Sequence, residues 1–76
     1  MMKVTRKDVV LKIEALLRKK ASFEDVEEWT GGILAADHVD WEDDKTQDAV
    51  YVLDMWDVNK LTEADLMSEK KNLLDE

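Results

Sequence analysis

The sequence has no cysteine, no proline and only two glycines, side by side as Gly31-Gly32. Without cysteine there is no disulfide, no thiolate nucleophile and no cysteine zinc site. The lack of proline and the scarcity of glycine favour helices. They argue against an all-β chain, whose many turns need both residues. His38 is the only histidine, and Ser22 and Ser68 are the only serines. That inventory offers an enzyme almost no nucleophile or acid–base pair. No glycine-rich phosphate loop follows a strand, and the pattern predicts no strand at all. The basic start, Met1 to Asp8, is not followed by an apolar run of signal-peptide length. No stretch approaches the ~20 apolar residues of a membrane span. The expectation is one non-enzymatic, cytoplasmic domain over residues 1–76, with no cofactor, no metal and no membrane contact.

What is present is a small, acidic, moderately apolar chain of 76 residues, 45% of them hydrophobic. A chain this short buries only about 60% of its unfolded surface, so close helix packing or a partner must supply stability. Its net charge of -8 is unevenly spread. Residues 1–20 carry seven bases and two acids, residues 21–60 carry two bases and twelve acids, and residues 61–76 carry two bases and five acids. The middle segment alone is at -10. Such a segment repels nucleic-acid phosphate and suits a basic protein surface.

Three segments open alike, Thr5-Arg6-Lys7-Asp8, Ser22-Phe23-Glu24-Asp25 and Thr62-Glu63-Ala64-Asp65. Each places a hydroxyl three residues before an acid, so the hydroxyl caps a first-turn amide and the acid meets the positive end of the helix dipole. Val4 with Val9, and Leu61 with Leu66, bracket two of these starts as hydrophobic staples. The 3.6-residue period then predicts four helices, at about 6–20, 23–36, 43–56 and 63–74. The first points Val9, Val10, Ile13, Leu16 and Leu17 inward. The second points Phe23, Val26, Trp29, Thr30 and Ile33 inward, and Gly31-Gly32 either breaks it or admits a close neighbour. The third turns Ala49, Val52, Leu53 and Trp56 inward, and Asp44, Gln47, Asp48, Tyr51, Asp54 and Met55 outward. The fourth carries Leu66, Met67, Leu73 and Leu74 as its stripe. Short connections make antiparallel neighbours, so the fold expected is an all-α compact bundle of four short helices.

The run from Asp37 to Asp44 invites a metal reading. As a calcium loop from Asp40 it has Lys45 at the glycine place and Tyr51 at the final acid place. From Asp57 those places hold Thr62 and Ser68. His38 with Asp37 and Asp40 is an unspecific set of donors. A solvated loop capping the third helix accounts for the same residues.

From Asp37 to Asp57 there are eight acids against one base, Lys45. Trp41 lies in the loop among them, and Tyr51 and Met55 lie on the outer side of the third helix. Aromatic and methionine side chains ringed by carboxylates act as anchors in protein interfaces, while the charge steers a cationic partner. The face so defined is Asp40, Trp41, Asp44, Asp48, Tyr51, Asp54 and Met55. In size, charge and helix layout the whole chain resembles the bacterial immunity proteins that neutralise colicin-type nuclease toxins. In that group an acidic helical surface with exposed aromatics covers a basic nuclease. The paired tyrosines before a proline that mark its DNase-directed members are absent, since this chain has one tyrosine and no proline. The binding residues therefore come from the helical wheel alone. The reading is an acidic protein-binding module, an inhibitor or immunity protein that occludes a basic toxin or nuclease. The alternatives are a helical homodimer or adaptor domain and a DNA-mimic inhibitor.

Overall fold

The computed structural model describes residues 2–75. All three hydroxyl–acid pairs form reciprocal capping boxes. Asp8 N–H donates to Thr5 Oγ1 at 3.1 Å, and Thr5 N–H donates to Asp8 Oδ2 at 2.9 Å. The same exchange joins Ser22 to Asp25 and Thr62 to Asp65. These caps open helices α1 (Arg6–Leu17), α2 (Phe23–Leu34) and α5 (Glu63–Leu74). Asp43 caps α3 (Asp44–Asp54), accepting from Thr46 N–H at 2.9 Å. Aspartate therefore serves where glutamate is more usual.

Mostly helical architecture holds, but the four-helix, all-α bundle does not. Two short strands, β1 (Met2–Val4) and β2 (Val39–Trp41), pair in parallel with Met2 opposite Val39 and Val4 opposite Trp41. Each strand reads apolar–polar–apolar, the two-residue period of a sheet. Three residues are too few for that period to stand out from a basic start and an acidic loop. Helices α1 and α2 form the connection that a parallel pair requires.

Helices α1, α2 and α3 end two or three residues earlier than their periodicity suggests, whereas α5 ends at Leu74 as expected. Lys19 takes a left-handed conformation (φ 58°) just past α1, so the Lys20 and Ala21 amides turn back to Ala15 O at 2.8 and 3.3 Å. Helix α2 runs through Gly31 and Gly32 without a break, and no atom would meet a Cβ at either within 4 Å. The third helix divides at Met55 (φ -100°, ψ 32°), and the chain resumes as α4 (Trp56–Asn59), closed by left-handed Lys60. The division turns Trp56 onto Phe23, with ring centroids 4.8 Å apart and planes 17° from parallel. Trp56 is half-buried at that stack and does not enter the core.

The core is aliphatic: Val9 and Ile13 from α1, Ile33 from α2, Val50 and Leu53 from α3, and Leu66 and Leu73 from α5. Helix α1 packs on α5, α2 packs on α3, and α3 also touches α1 and α5. Only half of the α5 stripe enters. Leu66 and Leu73 are buried, whereas Met67 and Leu74 are each 62% exposed. The wheel merges these two rows because they lie one residue apart, and only the packing separates them. Two buried hydroxyls are satisfied. Thr46 Oγ1 donates to Asp43 Oδ1 at 2.8 Å, and the Thr30 proton is shared between Asp54 Oδ1 at 2.8 Å and Glu27 O at 3.0 Å.

Candidate docking face

The outer side of α3 is set by what pins its two ends. At its start, Arg6 of α1 bonds through Nε to the capping Asp43. The same guanidinium donates from NH1 to Leu73 O at 3.1 Å and Asp75 O at 3.3 Å, at the carboxyl end of α5. Lys45 Nζ donates to Asn72 O and Asp75 O, both at 3.3 Å. Cations here meet the free carbonyls and negative dipole end of α5, so α1, α3 and α5 are tied at one corner. At its far end α3 is tied to α2 by the Thr30–Asp54 bond and through the Phe23–Trp56 stack. Trp56 Nε1 also donates to Glu27 Oε1 at 2.6 Å.

Between these ties Asp44, Asp48, Tyr51 and Met55 are all exposed. Their spacing of four, three and four residues puts them on one helix face. Tyr51 is 49% exposed and Met55 46%. The other three residues of the sequence-derived face lie elsewhere. Asp40 is exposed on β2, in register with Lys3 of β1. Trp41 is half-buried and packs against the core, so it anchors the strand. Asp54 is half-buried and accepts from Thr30, so its carboxylate is turned toward α2. Among the described residues, no His, Asp or Glu side chains gather in threes as metal ligands, and His38 is exposed.

Two residues escape the sequence pattern. Val58 on α4, past the break at Met55, is 66% exposed and follows the row along the chain. The helical period assigned it to a connection, and because the helix divides at Met55 no spacing rule marked it. Glu69 of α5 is half-buried, and its carboxyl is held above the ordinary glutamate range, first by burial and then by the charges of Asp48 and Asp65. No spacing rule links residues on separate helices, so this acidic seam between α3 and α5 is visible only in three dimensions. Asp43 is shifted the other way. Chiefly the Thr46 backbone N–H, aided by the Thr46 hydroxyl and Arg6, lowers its carboxyl below the usual range, with partial burial opposing.

The face therefore has an acidic end, Asp44 and Asp48 with Glu69 beside them, and an apolar end, Tyr51 and Met55, with Val58 following along the chain. It can attract a cationic surface and offer it side chains to cover. No described helix is long and apolar enough to cross a membrane. The chain matches no family model, no curated protein and no solved structure.

Proposed function

We propose that this chain is a non-enzymatic, cytoplasmic protein-binding module whose α3–α4 row docks on a basic protein, as an inhibitor or immunity factor docks on a toxin or nuclease. The observation that carries the reading is the exposed row Asp44, Asp48, Tyr51 and Met55 within a segment at -10. Exposed aromatic and methionine side chains cost solubility unless something covers them, and carboxylates beside them select cationic cover. Action is by occlusion. The field of the acidic segment steers the partner, Asp44 and Asp48 pair with its Lys and Arg, and Tyr51 and Met55 fill its cleft.

A photo-cross-linking amino acid at position 51 tests this in cells. The expected product is a complex with a basic protein, weakened when Asp44→Asn and Asp48→Asn are combined in the same chain. A control probe goes at exposed Ala64, on α5. If position 51 cross-links no more than position 64, if it captures only a second copy of the chain, or if the captured protein is indifferent to the two substitutions, the reading fails.

A further inference from the structure

At the turn between α1 and α2 there is an open hollow whose floor is apolar. Half-buried Phe23 and Leu61 line it together with buried Leu16 and Leu66. Lys19 and Lys20 line it and are exposed, and Arg18 precedes them. Among the described residues neither lysine forms an ion pair, and Glu63 is the one acid lining the hollow. Arg18 is loosely paired with Glu14 at 3.5 Å. In a chain at -8, this is a local excess of positive charge beside half-buried apolar side chains, Ala21, Phe23 and Leu61.

We infer that the chain pairs with a second copy of itself, the acidic α3–α4 row of each copy seated in the cationic hollow of the other. The two surfaces are complementary in both respects that matter. Asp44 and Asp48 of the row are opposite in sign to Lys19 and Lys20. Tyr51, Met55 and Val58 are the exposed apolar groups that an apolar floor covers. The surfaces also adjoin. Trp56, between Met55 and Val58 in sequence, stacks on Phe23 of the hollow, and Leu61 follows Val58 by three residues. A donor row and an acceptor hollow side by side can be exchanged reciprocally about a two-fold axis, which closes the assembly at a dimer. Long-range repulsion between two copies at -8 is cut off beyond about 8 Å at physiological ionic strength, whereas charges in contact are screened less.

The inference takes from the proposed function only that the row is a docking face. Purified chain alone tests it, so its failure is distinct from a failure of the cross-linking experiment. Sedimentation velocity at physiological salt, from micromolar to millimolar chain, is expected to show the mass rising from 8.8 kDa toward twice that value. Two charge-reversed chains decide the surface: Lys19→Glu with Lys20→Glu, and Asp44→Lys with Asp48→Lys. Each reverses only exposed side chains, and circular dichroism checks that each is folded. Each alone places like charges together in both contacts and is expected to stay monomeric. Mixed in equal amounts they restore opposite charges in both contacts, and a heterodimer is expected. A wild-type chain that remains monomeric to millimolar concentration overturns the inference. So does either reversed chain dimerising alone, or a mixture that stays monomeric.

Discussion

At the scale of single residues, identical side chains do different work according to what they meet. Asp54 and Asp48 are both aspartates of α3, yet Asp54 holds the buried Thr30 hydroxyl and Asp48 is exposed. Asp54→Ala is expected to cost about 1 kcal/mol, since Thr30 retains Glu27 O as an acceptor. Asp48→Ala is expected to stay within about 0.5 kcal/mol of wild type. Urea unfolding of the two variants checks the contrast. Glu69 and Asp43 make an opposed pair in pH dependence. The Glu69 carboxyl is raised, so its ionised form burdens the folded state at neutral pH, and the burden is relieved as pH falls through the raised value. Glu69→Gln is therefore expected to be more stable than wild type at neutral pH, with the advantage vanishing in acid. The Asp43 carboxyl is lowered, so its contribution is present above the ordinary aspartate range and is lost as pH falls through the lowered value. Asp43→Asn is expected to lose stability at neutral pH and to converge on wild type only in strong acid. Thermal unfolding at a series of pH values reads both signs.

At the scale of elements, the helix starts were legible, and of the helix ends only that of α5 was. Starts are written locally, in a hydroxyl and an acid three residues apart, and all three such boxes form. Ends depend on where a residue such as Lys19 or Lys60 turns left-handed, and lysine carries no local signal for that. Gly31 and Gly32 suggested either a break or a close neighbour, and the structure has neither: α2 passes through both, with open space at each, because the helix around them is held by Val26, Thr30 and Ile33 in the core. With open space at each, Gly31→Ala and Gly32→Ala are each expected to add about 0.5–1 kcal/mol of stability, measured by urea unfolding. Helix α4 has no buried residue, so its position rests on the Phe23–Trp56 stack and on Trp56 Nε1–H to Glu27. Phe23→Leu is expected to cost about 0.5–1.5 kcal/mol beyond the lost area and to speed amide exchange at Val58, Asn59 and Lys60 before it affects α3.

At the scale of the whole molecule, one cationic corner joins the two ends of the chain. Arg6 reaches Asp43, Leu73 O and Asp75 O together, so α1, the start of α3 and the end of α5 share one guanidinium. Arg6→Ala is expected to raise amide exchange and proteolysis at residues 70–75 while α2 stays protected. It also removes the tie that orients the docking row. By contrast, Tyr51→Ala with Met55→Ala is expected to leave the unfolding midpoint nearly unchanged and to weaken partner capture, a separation of binding from stability that a core residue does not allow.

Charge, helix content, caps and the identity of the acidic segment were determined by the sequence itself, because each depends on composition or on residues within one or two turns. The outward face of Asp44, Asp48, Tyr51 and Met55 also followed, since a helix repeats on its own period. Tertiary structure decided the rest. It withdrew Trp41 into the strand and Asp54 toward Thr30, left Met67 and Leu74 outside, paired β1 with β2 across α1 and α2, and set Glu69 beside Asp48. These are contacts between residues distant in the chain. Which of two adjacent apolar rows is buried, or which carboxylate meets another, depends on the neighbour that arrives, and no local spacing encodes it.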